Sequence, residues 1–115
     1  MHILFITDPL SSFKTYKDST FAMMREAQKR GHSISACETQ NIFWKRGFQV
    51  SGLTKHIRLT PHQPTWFEVQ HQGQQTLASF DAVIMRKDPP FDSEFFYATH
   101  LLEQAEREGA KVFNK

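Results

Sequence analysis

Four short apolar segments along the chain have the length and character of buried strands. Residues 3–6 and 82–85 are continuous apolar runs, residues 33–37 alternate apolar with small side chains, and residues 112–113 form a brief apolar pair near the end. Continuous apolar runs are typical of parallel strands that are covered on both faces. The pattern therefore predicts a parallel sheet with residues 3–6 as a central strand.

Two other segments have the period of amphipathic helices. The first begins at Asp18 or Ser19, either of which can cap a helix, and stops at Gly31. The second begins after Asp92, another good N-cap, and stops at Gly109. The positions that define their apolar faces are Phe21, Met24, Phe95, Ala98, Leu102 and Ala105.

The middle third, residues 39–79, has no helical period. Residues 42–50 contain two apolar stretches around a basic turn with glycine, which predicts a β-hairpin, and a change of alternation predicts a bulge near residues 51–52. Residues 66–69 are predicted to be a short strand or helical turn, and residues 70–75 a solvent-exposed turn. This segment is too short for a core of its own, so we predict that it lies along one edge of the sheet.

The order of these elements predicts a single α/β domain, with a right-handed strand–helix–strand unit at its start. The chain has 115 residues, of which 39% are hydrophobic and 23% charged, and this composition suits one soluble domain with an ordinary core. Net charge is only +2 and the basic residues are scattered, so nucleic acid is not an expected partner.

Compartment and redox state follow from what the sequence contains. The single cysteine, Cys37, excludes an internal disulfide. We see no signal peptide and no apolar stretch near the ~20 residues of a membrane span. The sequence therefore predicts a protein of the reducing cytoplasm, without a membrane partner.

The candidate site is the loop after residues 82–85. Arg86, Lys87 and Asp88 follow the apolar run directly, and two prolines then direct the backbone out of the sheet as a stiff loop. Ligands of open α/β sheets bind outside the carboxyl ends of strands. The planar guanidinium of Arg86 suits a carboxylate, but an ion pair with Asp8 or Asp88 explains the same charges. Both interpretations remain open for Arg86. Lys87, Asp88, Asp8 and Lys17 share the ambiguity, and for these four the ion pair that ties two loops together is the favoured interpretation.

Other kinds of site have less support. Glu38 ends the second strand, where dinucleotide folds carry a ribose-binding acid, but residues 8–17 contain no glycine, so NAD or FAD is not expected. The six histidines show no paired helical spacing, so we predict surface histidines and no metal site. Cys37 has no visible base partner and is predicted to be a small buried side chain. No catalytic set can be assembled.

The segment Met85-Arg86-Lys87-Asp88-Pro89-Pro90-Phe91-Asp92 is a long and unusual motif. It resembles the amino-terminal domain of bacterial-type glutathione synthetases. Asp8-Pro9 and much of residues 17–32 resemble the family as well, and the similarity continues through residues 97–115. The middle third is similar only at Trp66-Phe67.

This resemblance implies a three-layer Rossmann-like domain of the pre-ATP-grasp type over residues 1–115, with helices on both faces of a mainly parallel sheet and a β-hairpin excursion in the middle. It implies part of a ligase that joins γ-glutamylcysteine to glycine through an acyl phosphate. ATP and magnesium would be bound by an ATP-grasp domain absent from these residues, so the chain looks cut from something longer and is expected to be inactive alone. The implied substrate-binding residues are Arg86, Lys87, Asp88, Asp8, Lys17 and Ser19.

The family also implies a homotetramer, for which Phe96 and Tyr97 would supply aromatic surface. Two alternatives remain beside this interpretation. One is the substrate-binding domain of another ATP-grasp amino-acid ligase. The other is a free-standing, non-enzymatic α/β module that binds a small carboxylate or assembles with a partner.

Overall fold

The computed structural model describes residues 1–15, 17–60, 63–87 and 91–114. These residues form two α-helices and seven strands, with short 3-10 turns at Leu10–Ser12, Thr39–Asn41 and Leu77–Ser79. The helices are α1 (Ser19–Lys29) and α2 (Ser93–Arg107). The strands are β1 (His2–Thr7), β2 (Ser33–Cys37), β3 (Ile42–Phe43), β4 (Ser51–Leu59), β5 (Phe67–Thr76), β6 (Ala82–Arg86) and β7 (Val112–Asn114).

One twisted sheet holds all seven strands, in the order β3-β4-β2-β1-β6-β7, with β5 added to β4. Strands β2, β1, β6 and β7 run parallel, as predicted, and β1 lies between β2 and β6. Strand β4 is antiparallel to its three neighbours. Because β5 follows one edge of β4 along its whole length, β2 and β3 share the other edge.

The two faces of the sheet support separate cores, one under each helix. Side chains alternate along β1, so Leu4 and Ile6 pack with α2 while Ile3 and Phe5 pack with α1. Leu4 and Ile6 are completely buried. The chain is therefore a three-layer α/β structure with a helix on each face, which confirms the predicted fold class.

Helix α1 begins where the sequence predicts. The Asp18 carboxylate caps it by accepting hydrogen bonds from the backbone N–H groups of Thr20 and Phe21. Its end lies at Gly31, whose φ of 86° is a left-handed conformation that glycine adopts without a steric penalty. Near that end, the Gln28 side-chain amide donates to and accepts from the backbone of Leu59 at the end of β4, which ties the helix to the sheet.

Helix α2 also follows the sequence pattern. The Asp92 side chain accepts from the Phe95 N–H, and Gly109 ends the helix with a φ of 106°. Ala98, Leu102 and Ala105 are buried against the sheet, as the period predicts. On the outer flank, Phe96 and Tyr97 are 57% and 60% exposed.

The middle segment lies along one edge of the sheet, as predicted, but its internal structure differs from the prediction. The predicted hairpin is present as β3 paired antiparallel with the start of β4, but its second strand begins at Ser51, and residues 44–50 form the loop. A longer hairpin joins β4 to β5. The predicted bulge near residues 51–52 is wrong, since the register shifts between His56 and Ile57. The predicted turn at residues 70–75 is also wrong, because these residues belong to β5. That strand is exposed along nearly its whole length, so pairing with β4, not burial, forms it.

Neither α1 nor α2 has the length and hydrophobicity of a transmembrane helix, and the described part of the chain contains no other candidate. Asp88, Pro89 and Pro90, which the sequence places in the stiff loop after β6, lie outside the described residues.

Candidate functional site

The carboxyl ends of three parallel strands, β1, β2 and β6, lie side by side at one end of the sheet, which we call the carboxyl edge. Thr7, the last residue of β1, is in register with Arg86, the last residue of β6, and Cys37 ends β2 on the other side of β1. The residues that follow β1 and β6 must therefore leave the sheet side by side. This edge is where open α/β sheets bind ligands.

Arg86 points towards the face that α1 covers. Its Nε donates to the Thr20 hydroxyl at 3.2 Å, and one terminal nitrogen donates to the Ser19 hydroxyl at 2.5 Å. These partners are neutral, and Arg86 forms no ion pair with any residue that the structure describes. The contacts orient the guanidinium while leaving its charge available to an anion.

Lys87, the next residue, does form an ion pair, and its partner is Asp8. Its Nζ lies 2.8 Å from Oδ1 of Asp8, and the two side chains are 19% and 24% exposed. The ion pair joins the residue after β6 to the residue after β1, so it stabilises the positions of the two segments that leave the sheet there. The sequence left open an ion pair between Arg86 and Asp8; in the structure, Asp8 pairs with Lys87.

The other predicted site residues lie around the start of α1 or outside the described part. Ser19 is exposed at the first position of α1 and accepts from Arg86. Lys17 is exposed in the turn that precedes the Asp18 cap. The structure thus brings Arg86 and Ser19 into contact, whereas Asp88 falls outside the described residues.

A cavity of about 510 Å³ opens beside this edge, between the loop that follows β1 and the β4–β5 hairpin. Its volume is within the range of ordinary small-molecule sites, roughly 300–1,000 Å³. The walls mix apolar and polar groups, and three of them carry charge: Asp8, Glu38 and Lys55. Asp8 therefore belongs both to the cavity and to the ion pair with Lys87.

Comparison with known proteins shows the family to which the chain belongs. Residues 1–115 match the family model of the prokaryotic glutathione synthetase N-terminal domain. The chain belongs to this family. Among its relatives are three proteins named glutathione synthetase, from Ralstonia nicotianae (52% identity over 115 residues), Neisseria meningitidis serogroup A (48% over 117) and Bordetella pertussis (46% over 119). These alignments cover 99–100% of this chain but only 35–37% of each relative, so the chain spans about a third of their length.

The thiol in this glutathione synthetase N-terminal domain is unsuited to nucleophilic chemistry. Cys37 is buried at the end of β2, as the sequence predicts, although it lies beside the cavity. Burial, with a smaller contribution from the Glu38 carboxylate, raises its pKa to about 12. The thiolate is therefore scarce at neutral pH.

Three of the six histidines of the domain lie in a row that the sequence does not reveal. The His2 and His56 rings are 5.4 Å apart, and those of His56 and His71 stack at 6.0 Å across the paired strands β4 and β5. The His2 Nε2 is also 2.8 Å from the Ser35 hydroxyl. Burial and the neighbouring His56 lower the pKa of His2, although Asp81 opposes the shift.

Spacing along the chain could not show this row, because its members come from three strands whose register the sequence does not specify. Within the described part of the domain, no group of three or more His, Cys, Asp or Glu side chains has the arrangement of a metal site. The row also lies at the amino-terminal end of β1, away from the edge that carries Arg86.

Proposed function

We propose that this chain is the amino-terminal, substrate-binding part of a glutathione synthetase, the ligase that joins γ-glutamylcysteine to glycine. Membership of the family over the whole chain supports this proposal, together with the names of the relatives. The single structural observation that carries it is Arg86, held at the carboxyl edge of the sheet by two hydroxyl groups, with its charge free for an anion. The substrate offers carboxylates that such a guanidinium recognises.

The proposed reaction needs ATP and magnesium to convert the cysteine carboxylate into an acyl phosphate, which the glycine amine then attacks. The described residues do not suit these cofactors, because they present no cluster of acids for a metal ion and no glycine-rich loop at the sheet edge. We therefore assign ATP and magnesium to an ATP-grasp domain outside these residues. The role left to this chain is to bind and orient γ-glutamylcysteine.

The decisive experiment measures ADP formation by the full-length protein with γ-glutamylcysteine and glycine together, and with each omitted. We expect turnover only when both are present. Turnover with a different amino-acid pair, and none with this one, would instead identify a related ATP-grasp ligase. The 115-residue chain alone is expected to form no ADP above a buffer control, and activity in that sample would contradict the assignment of ATP to another domain.

The role of Arg86 is tested by Arg86→Ala in the full-length protein. Removing one charge-assisted contact should raise KM for γ-glutamylcysteine about tenfold or more and leave KM for ATP within about twofold. The matched control is Arg58→Ala, which removes an exposed arginine paired with Glu68 on the hairpin and should change neither constant. Equal increases in both constants for Arg86→Ala would indicate that Arg86 only supports the structure.

We also propose that the protein self-associates through the outer flank of α2. Phe96 and Tyr97 are large, exposed and adjacent in α2. A surface of this kind on one helix suits a second copy of the chain. Sedimentation of the full-length protein should give an oligomer that dissociates in the variant Phe96→Ser/Tyr97→Ser. A monomeric wild-type protein would refute the proposal.

A further inference from the structure

The cavity beside the sheet edge contains charges that the first candidate site does not use. Its two acids are already engaged: Asp8 pairs with Lys87, and the Glu38 carboxylate accepts from the Gln40 side-chain amide at 2.7 Å as well as capping the turn at Thr39–Asn41. Among the described residues that line the cavity, Lys55 is the one cation. It has no hydrogen bond or ion pair to any residue in the described ranges.

The backbone of Lys55 is paired on both sides, although its ammonium has no partner among the residues that the structure describes. Lys55 lies in β4, in register with Ala36 of β2 on one side and Gln72 of β5 on the other. Strands therefore pair with it along both edges, and Ala36 is too small to fill the space beside it. A lysine fixed in this way can present its ammonium to a ligand without movement of the main chain.

The neighbouring groups indicate what kind of ligand would fit. Lys55 and Asp8 line the same cavity and carry opposite charges, which matches a zwitterion with a carboxylate and an ammonium on one carbon. Leu53 lies two residues from Lys55 in β4, is 53% exposed, and also lines the cavity. An apolar wall next to a pair of opposite charges suits an amino acid with a methylene chain.

We propose that Lys55 is a specificity-determining residue that binds the α-carboxylate of the γ-glutamyl group. This inference rests on the proposed function. The cysteine carboxylate of γ-glutamylcysteine is the group that reacts, so it must stay outside the cavity, at the end of β6 where Arg86 can meet it. The opposite end of the molecule, the α-amino-acid head of the glutamyl group, is then the end that enters the cavity, with its carboxylate at Lys55 and its ammonium towards Asp8.

The first test compares Lys55→Met with the wild-type full-length enzyme. Methionine keeps an unbranched side chain but removes the charge, so KM for γ-glutamylcysteine should rise about tenfold while kcat and KM for ATP change less than about twofold. Lys55→Arg keeps the charge and should restore most of the affinity. The matched control is Lys29→Met, an exposed lysine at the end of α1 that does not line the cavity and should match wild type.

The second test uses substrates that lack one group of the glutamyl head. 4-Aminobutyrylcysteine lacks the α-carboxylate, and glutarylcysteine lacks the α-amine. If Lys55 binds the carboxylate, wild-type enzyme should lose about tenfold in kcat/KM with 4-aminobutyrylcysteine, and Lys55→Met should lose nothing more with that substrate. With glutarylcysteine, Lys55→Met should still cost about tenfold, because the carboxylate is present.

The possible results separate this inference from the function on which it rests. If the wild-type enzyme does not join γ-glutamylcysteine to glycine, the proposed function fails. If it does, and Lys55→Met has the same KM as wild type, only the role of Lys55 is overturned. Additive losses for Lys55→Met and 4-aminobutyrylcysteine would also overturn it, since independent effects mean that the two groups do not touch.

Discussion

Replacing Asp18 by alanine removes the side chain that caps α1 next to the candidate site. The Asp18 Oδ1 accepts from the Thr20 N–H at 2.8 Å and from the Phe21 N–H at 3.3 Å. Loss of an N-cap costs about 1 kcal/mol, and loss of a negative charge at a helix N-terminus costs about 0.3–1 kcal/mol more. The Asp18→Ala chain should therefore be about 1–2 kcal/mol less stable than wild type.

Arg86 makes the charge of Asp18 more important than it is in most helices. The guanidinium donates to Ser19 and Thr20 in the first turn of α1, so a positive charge lies near the positive end of the helix dipole. Asp18 offsets that charge. Asp18→Asn keeps the hydrogen-bond acceptor but removes the charge, and should lose about 0.3–1 kcal/mol, less than Asp18→Ala.

The assay is urea unfolding of the 115-residue chain, followed by circular dichroism, with the slope m compared between variants. The matched control is Asp92→Ala, which removes the cap of α2 and one hydrogen bond, to the Phe95 N–H at 3.0 Å. We expect it to cost about 0.5–1 kcal/mol. A smaller loss for Asp18→Ala than for Asp92→Ala, with unchanged m, would refute the argument that Asp18 both caps α1 and offsets Arg86.

Two further predictions concern titratable side chains. Because the folded state lowers the pKa of His2, the unfolded chain binds more protons below about pH 6.5, and stability should fall as the pH is lowered through that range. His2→Gln should lose less stability than wild type between pH 7 and 5; equal pH profiles for the two proteins would contradict the argument. Cys37 should react with a disulfide reagent at pH 8 only as fast as the chain opens, so fast labelling that is insensitive to urea would contradict its burial.

The sequence predicted correctly the elements whose residue pattern, burial and capping residues all indicate the same structure. Strands β1 and β6 are continuous apolar runs because helices cover both faces of the sheet there. The helix bounds were predictable from Asp18, Gly31 and Gly109, since caps and left-handed glycines act within one turn of the chain. These elements need no knowledge of distant partners.

Strand β5 could not be predicted in the same way. It is exposed along both faces, so its sequence carries no alternation, and its conformation depends on hydrogen bonds to β4. The predicted bulge was wrong for a related reason. The bulge was inferred because apolar residues fall on even positions at Phe48 and Val50 but on odd positions at Leu53 and Ile57. Phe48 and Val50 lie in the loop before β4, so the two pairs do not belong to one strand.

The sequence predicted where the charged residues of the candidate site lie in the fold, but not which residues they contact. Arg86 and Lys87 do lie at the carboxyl end of β6, as predicted, yet the sequence left open whether Asp8 is paired with Arg86. Pairing depends on the register of β1 against β6, which the sequence does not specify. Lys55 was missed altogether, because only the register of β4 with β2 places it beside the loop that follows β1.

The register of β1 against β6 explains why the adjacent cations Arg86 and Lys87 have different partners. Thr7 is opposite Arg86, so the residues that follow the two parallel strands, Asp8 and Lys87, leave the sheet side by side and form the ion pair. Successive side chains of a strand point to opposite faces, so Arg86 must turn towards α1 and its hydroxyl groups when Lys87 turns towards Asp8. The order of the two residues therefore matters as well as their charges. Exchanging them would place a lysine at the α1 hydroxyls, where its donors all lie on one nitrogen and lack the fixed planar spacing of the two guanidinium nitrogens that donate there.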